Sequence, residues 1–167
     1  MNKTVKLVWN IISWLLVAVV VALAVLLVGM KALGFQVYAV LSGSMEPTYH
    51  VGSLIYVKSV DTDDIEVGDA ITFMLDENTL ATHRVTEVIE DGSSVSFKTK
   101  GDANNNEDAE AVSAQNVLGV PKFSIPYLGY VANYIQNPPG TYIAIAVVCV
   151  LLILVFIPDI FAKKKEE

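Results

Sequence analysis

The stretch AITFMLDENTLATHRVTEVIE, residues 70–90, reads as a β-hairpin. Residues 70–75 and 79–90 are rich in Thr, Val, Ile and Phe, which suit a pleated, half-buried surface. Between them Asp76-Glu77-Asn78 supplies turn chemistry. The pattern continues in both directions. Asp91-Gly92-Ser93 is a second turn, followed by a strand over residues 94–100. Upstream, residues 36–41 (QVYAVL) and 51–60 are expected strands, residues 61–66 an acidic loop, and Val67-Gly68-Asp69 a turn into the hairpin. Downstream, residues 117–120 form one more short strand. Residues 124–133 form a Pro/Gly-punctuated link along the membrane surface, with Tyr127 and Tyr130 as an aromatic pair. Short strands spaced by turns predict a mainly β domain over residues 36–138.

The ends of the chain are different. The sequence of 167 residues is 53% hydrophobic, and the excess is concentrated outside residues 36–138. Residues 7–30 run without a charged side chain; as a helix of about 36 Å they cover a bilayer core of ~30 Å. Trp9 and Trp14 suit the headgroup region. A cleavable leader is the competing reading, with Ala22-Leu23-Ala24 as its small-x-small site, but the apolar run continues through Val28. Residues 141–161 are expected to form a second transmembrane helix, whose uncharged part is residues 141–157. Lys3 and Lys6 flank the first span and Lys163, Lys164 and Lys165 the second. Basic flanks stay inside. The expected layout is therefore a cytoplasmic N-terminus (1–6), a span (7–30), an extracytoplasmic β-rich domain (36–138), a span (141–161) and a cytoplasmic tail (162–167).

Charge and composition narrow the function classes. Residues 36–138 carry 5 Lys+Arg and 15 Asp+Glu, a net charge of −10, so there is no basic footprint for nucleic acid. Cys149 is the single cysteine, and the two histidines, His50 and His83, have no metal-binding spacing. The acidic spacing of residues 101–108 (GDANNNED) does not match a calcium loop. No metal and no cofactor are expected.

The chemistry centres on Ser42-Gly43-Ser44-Met45-Glu46-Pro47-Thr48. Ser44 follows an expected strand on a turn that can expose its hydroxyl, and Gly43 allows close backbone approach. A serine hydroxyl needs a base and oxyanion donors to act as a nucleophile. A neutral imidazole suits a general base. His83 lies mid-strand, where it has no obvious packing role, and His50 lies in an expected loop. Asp102 or Asp108 could orient the base. On composition alone, Ser-Gly-Ser is an ordinary turn.

Taken together, these boxes resemble type I signal peptidases of the endoplasmic-reticulum-type branch. The resemblance rests on residues 42–48, 52–60, Val67-Gly68-Asp69-Ala70-Ile71, Thr82-His83-Arg84-Val85 and Lys100-Gly101-Asp102-Ala103-Asn104 with Asp108, in the family's order. It implies a signal-peptidase-like β fold with Ser44 as nucleophile and His83 as general base, where the usual bacterial branch has lysine. Asp102 and Asp108 keep the family's spacing, with Asp108 assigned as the triad acid and Asp102 as accessory. Ser42 and Met45 are carried over as oxyanion or substrate-binding residues. Ser53 departs from the aspartate frequent after this glycine. The implied activity is removal of signal peptides from secretory preproteins after small residues at −1 and −3. The implied setting is the plasma membrane, with accessory membrane subunits as further partners. A non-catalytic anchored β module is the reading from another class.

Overall fold

The computed structural model describes residues 3–77, 79–92 and 94–163, with side chains described over 4–153. Met1, Asn2, the turn residues Asn78 and Ser93, and the basic flank at Lys164 and Lys165 lie outside the described residues. The chain divides into two compact units, residues 30–132 and a helical unit formed by residues 1–29 with 133–167.

In the helical unit, α1 (Lys3–Ala24) passes through a π-helical stretch, Val25–Gly29, into α2 (Met30–Ala32) at the start of the other unit. Thr4–Ala32 is long and apolar enough to cross a membrane, and its most apolar window is wholly unburied within the protein. Val, Leu and Ile leave no polar face for water along this helix, as expected of a lipid-facing span. A helix α4 (Gly140–Lys163) covers the second apolar run. Its described part meets the same length test only when joined across a sharp break to the helix before it.

Among the described residues of the other unit, seven strands form one antiparallel sheet. They are β1 (Phe35–Ala39), β2 (Leu54–Lys58), β3 (Ala70–Met74), β4 (Leu80–Asp91), β5 (Ser94–Lys100), β6 (Val112–Ser113) and β7 (Val117–Ile125). Their order is β1-β2-β7-β3-β4-β5-β6. The expected hairpin is β3–β4, with Ile71 opposite His83 and Ala70 opposite Arg84. Strand β5 continues the meander, with Arg84 opposite Lys100. One face buries Ile65, Ile71, Phe73, Val85, Phe97 and Val112, the main apolar core that holds these strands in register.

Three expectations need correction. The strand foreseen at 117–120 runs on to Ile125, because Pro121 does not end it. Val57 pairs with Pro121 and Tyr56 with Phe123, a bulge that leaves Lys122 over, and bulges are where proline is tolerated in sheets. Strand β7 changes partner there, from β3 at Gly119 to β2 beyond it. Gly119 has φ +148°, and a Cβ on it would lie 2.2 Å from the Lys58 carbonyl oxygen, so only glycine fits the bend. The link expected over 124–133 contains the end of β7 and a helix, α3 (Leu128–Gln136). Leu128, Gly129 and Ala132 are its buried residues, while Tyr127 and Tyr130 are exposed. Strand β2 starts at Leu54 rather than 51, because residues 50–53 form a turn closed by Ser53 N–H to the His50 carbonyl at 3.0 Å.

Candidate active site

Strand β4 lies between β3 and β5 and carries His83 and Arg84 side by side. Adjacent strand residues face opposite sides. His83 faces the core side with Ile71, and the edge of the Phe73 ring meets its imidazole at 6.2 Å between centroids. The histidine does have a packing partner, which the sequence reading did not foresee. Its side chain is 13% exposed.

Asp108 lies at the far end of the polar loop that follows β5. The carboxylate oxygen Oδ2 of Asp108 is 2.6 Å from His83 Nδ1. The Thr99 hydroxyl donates to the same oxygen at 2.6 Å, and Asp108 N–H donates to the Thr99 carbonyl at 2.8 Å. Thr99 is fully buried, so the acid is fixed by a rigid strand residue at both backbone and side chain. An ionised carboxylate only accepts. The proton of the neutral imidazole therefore belongs on Nδ1, leaving the Nε2 lone pair free to take a proton from elsewhere.

Ser44 occupies a helix-like turn in which Glu46 N–H bonds the Gly43 carbonyl at 3.1 Å and Tyr49 N–H the Met45 carbonyl at 2.9 Å. Met45 anchors the turn, its side chain only 2% exposed. The start of the polar loop grips this turn from the other side. Ala103 N–H donates to the Ser44 carbonyl at 2.9 Å. Gly101 makes that approach possible, since a Cβ on it would lie 2.6 Å from the Ser44 oxygen and 2.7 Å from Asn104 Nδ2. The Ser42 and Ser44 hydroxyl oxygens are 3.4 Å apart. Among the described residues no hydrogen bond joins Ser44 Oγ to His83; both are held by the one loop, Ser44 at its start and His83 at its end.

Asp102 is differently employed. Arg84 Nε donates to Oδ1 at 2.8 Å and Nη2 to Oδ2 at 2.6 Å, a bidentate clamp. The Thr48 hydroxyl donates to Oδ2 at 2.5 Å. The Arg84 hydrogen bonds, and then the Thr48 one, hold the Asp102 carboxyl below the usual range against the opposing effect of burial. Bonding to Asp102 in turn raises the Arg84 guanidinium. Burial raises the nearby Tyr49 phenol, with Arg84 opposing the shift. His50 pairs instead with Glu46, on an exposed surface. Thus the structure brings His83 together with Asp108, and Asp102 with Arg84 and Thr48. Ser42, Ser44 and Met45 share one turn. Thr99, Arg84, Thr48 and Gly101 were not singled out from the sequence, although all but Thr99 lie inside the quoted boxes. Among the described residues, no group of three His, Cys, Asp or Glu side chains could hold a metal.

Residues 11–118 match the family described as signal peptidase, peptidase S26. The chain belongs to that family. Its curated relatives include Signal peptidase I W of Bacillus subtilis (strain 168), 38% identical over 120 residues, covering 67% of this chain and 63% of the relative. The signal peptidase complex catalytic subunit SEC11C of Rattus norvegicus is 30% identical over 128 residues, covering 71% of this chain and 67% of the relative. For the SEC11C of Homo sapiens the figures are 31% over 112 residues, 62% and 58%. The match to the first relative thus spans less than two thirds of its length. The S26 match takes in the serine turn, the β3–β4 hairpin and the whole polar loop, and ends at the start of β7.

Proposed function

We propose that the protein is a membrane-bound serine endopeptidase that removes signal peptides from secreted preproteins at the outer face of the plasma membrane, cleaving after small residues at −1 and −3. The observation that carries the reading is the 2.6 Å contact between His83 and Asp108, made by the loop that also bonds the Ser44 carbonyl, in a chain of the S26 family.

In this reading Ser44 Oγ attacks the scissile carbonyl as His83 Nε2 takes its proton. Asp108 keeps Nδ1 protonated and stabilises the imidazolium that forms. The negative charge on the carbonyl oxygen is met by the Ser44 backbone N–H and the Ser42 hydroxyl. The C–N bond then breaks, and His83 returns its proton to the leaving amine. Water releases the acyl group from Ser44 by the same route. Buried Met45 shapes the turn against which the small substrate residues fit. Thr4–Ala32 anchors the domain, and residues 141–161 cross the membrane a second time, leaving residues 1–6 and 162–167 in the cytoplasm. The resemblance to a protein named as the catalytic subunit of a complex supports accessory membrane subunits as partners.

The test is processing of a preprotein by membranes containing the full chain. Ser44→Ala is expected to insert normally and leave the preprotein uncut. Full processing by that variant would overturn the reading.

A further inference from the structure

The geometry points to Arg84 as the positioning residue that sets Ser44 against His83, acting through Asp102 and Thr48. This rests on the reading of Ser44 as nucleophile and His83 as base. Arg84 reaches three separated stretches of chain. Besides its two bonds to Asp102, its Nη1 donates to the Gly68 carbonyl at 2.7 Å and its Nη2 reaches Thr48 Oγ1 at 3.4 Å. Thr48 lies in the turn that carries Ser44, and its hydroxyl donates a hydrogen bond to Asp102. Asp102 is followed by Ala103, whose N–H holds the Ser44 carbonyl. The serine turn is thereby tied to the polar loop at two points, and Arg84 ties that loop to β4 one residue from His83. Neighbouring Cα atoms in a strand are a fixed ~3.8 Å apart. The clamp therefore sets the distance between nucleophile and base without touching substrate.

A guanidinium is needed because three directions are served at once by a planar fork; an ammonium retains the charge and loses the fork. The side chain is 36% exposed and Asp102 15%, so the pair is half-screened and its charge alone is a poor stability device. Its value lies in direction.

The experiment uses the full chain in detergent. It measures kcat and KM on a preprotein, the rate of labelling by a fluorophosphonate (a small serine-reactive probe) and the melting temperature, for wild type, Ser44→Ala, Arg84→Lys and Thr48→Val. Misplacing reacting groups by an ångström costs on the order of 10²-fold. Arg84→Lys is expected to lower kcat and labelling together by about that factor, with KM within about threefold of wild type. Thr48→Val, which removes one hydroxyl, is expected to cost about tenfold, and the double variant no more than Arg84→Lys, since both act along one path. The proposal is overturned if Arg84→Lys retains kcat within about twofold, if the loss falls on KM alone, or if it equals the unfolded fraction at the assay temperature. Should Arg84→Lys fail to fold, Thr48→Val decides: a lower kcat with wild-type melting supports the clamp, and a wild-type kcat overturns it. Processing or labelling that persists in Ser44→Ala removes the reading of Ser44 as nucleophile and the clamp with it. Ordinary kcat in Arg84→Lys beside a dead Ser44→Ala removes the clamp alone.

Discussion

Asp108 has two donors on one oxygen, and the two are not equivalent. The bond from His83 fixes a tautomer, while the bond from Thr99 fixes the carboxylate. Asp108→Asn presents an amide that can donate to Nδ1 and so favours the wrong tautomer; kcat on a preprotein is expected to fall by on the order of 10⁴, with little change in melting temperature. Thr99→Val removes a buried hydroxyl and leaves the carboxylate its bond from His83, so the expected cost is about 1 kcal/mol of stability and a smaller loss of kcat. Gly101 tests the neighbouring contact. Its backbone needs no special dihedral, and the constraint is the 2.6 Å approach of a Cβ to the Ser44 carbonyl oxygen. Gly101→Ala is expected to push the loop off the serine turn, costing about 1–3 kcal/mol in urea unfolding and most of the activity. Asp102 titrates below its ordinary value of 3.8, chiefly through its Arg84 hydrogen bonds. In acid the unfolded chain takes up this proton first, so the stabilisation is fully present above the ordinary value and lost as pH falls through the lower folded one. Wild type should therefore lose more stability than Asp102→Asn between pH about 5 and about 2, measured by denaturant midpoints; parallel losses in the two proteins would count against a depressed Asp102.

Local signals and distant partners were unequally legible along the chain. The β3–β4 hairpin and β5 appear within a residue or so of the limits read from alternation and turn chemistry, because each is specified by residues close in sequence. The continuation of β7 past Pro121 was hidden, since what makes proline tolerable there is a bulge against β2, more than sixty residues upstream. The two-residue strand β6 exists only through its pairing with β5 at Ser96 and Phe97. The site divides in the same way. Ser44, His83, Asp102 and Asp108 could be picked out by residue type and motif, but Thr48 and Asp102 are 54 positions apart and Arg84 and Asp102 18 apart. Nothing in residue type says that those side chains meet, nor that the imidazole of His83 packs on Phe73. The packing of α3 is a second such case. Gly52 has φ +81°, and a Cβ there would lie 1.9 Å from the Tyr130 ring; Gly129 N–H also donates to the Gly52 carbonyl at 3.0 Å. Gly52→Ala is expected to destabilise the protein by about 2–4 kcal/mol, from backbone strain and ring displacement together. Adding Tyr130→Ala should relieve the ring clash but not the strain. The double variant then recovers part of the loss in thermal melting, and full recovery would show that the backbone costs nothing.

How the chain lies in a membrane follows from its charge distribution and from the cost of unsatisfied backbone. The acidic domain over 36–138 gains nothing from the anionic cytoplasmic leaflet, and in the proposed topology Lys3 and Lys6 keep the other end of α1 inside. An α-helix satisfies its own backbone, so α1 and α4 can each cross hydrocarbon without a partner sheet. The proposed second span is the weaker of the two by composition, because Pro158 and Asp159 interrupt it before Lys163. One span would leave the C-terminus outside and two spans would return it to the cytoplasm, a difference that chemical labelling can read. Cys149 is the chain's single cysteine, so a Cys149→Ser background is free of thiols and new ones can be placed at will. In that background Asp64→Cys lies in the exposed turn between β2 and β3, and Lys165→Cys lies beyond α4. With a membrane-impermeant maleimide on intact cells, the Asp64→Cys protein is expected to label fully and the Lys165→Cys protein only after permeabilisation. Labelling of both from outside would reduce the anchor to α1 alone and place α4 on the outer surface of the bilayer. Labelling of neither would put the serine turn on the wrong side for secreted preproteins and remove the proposed activity with it.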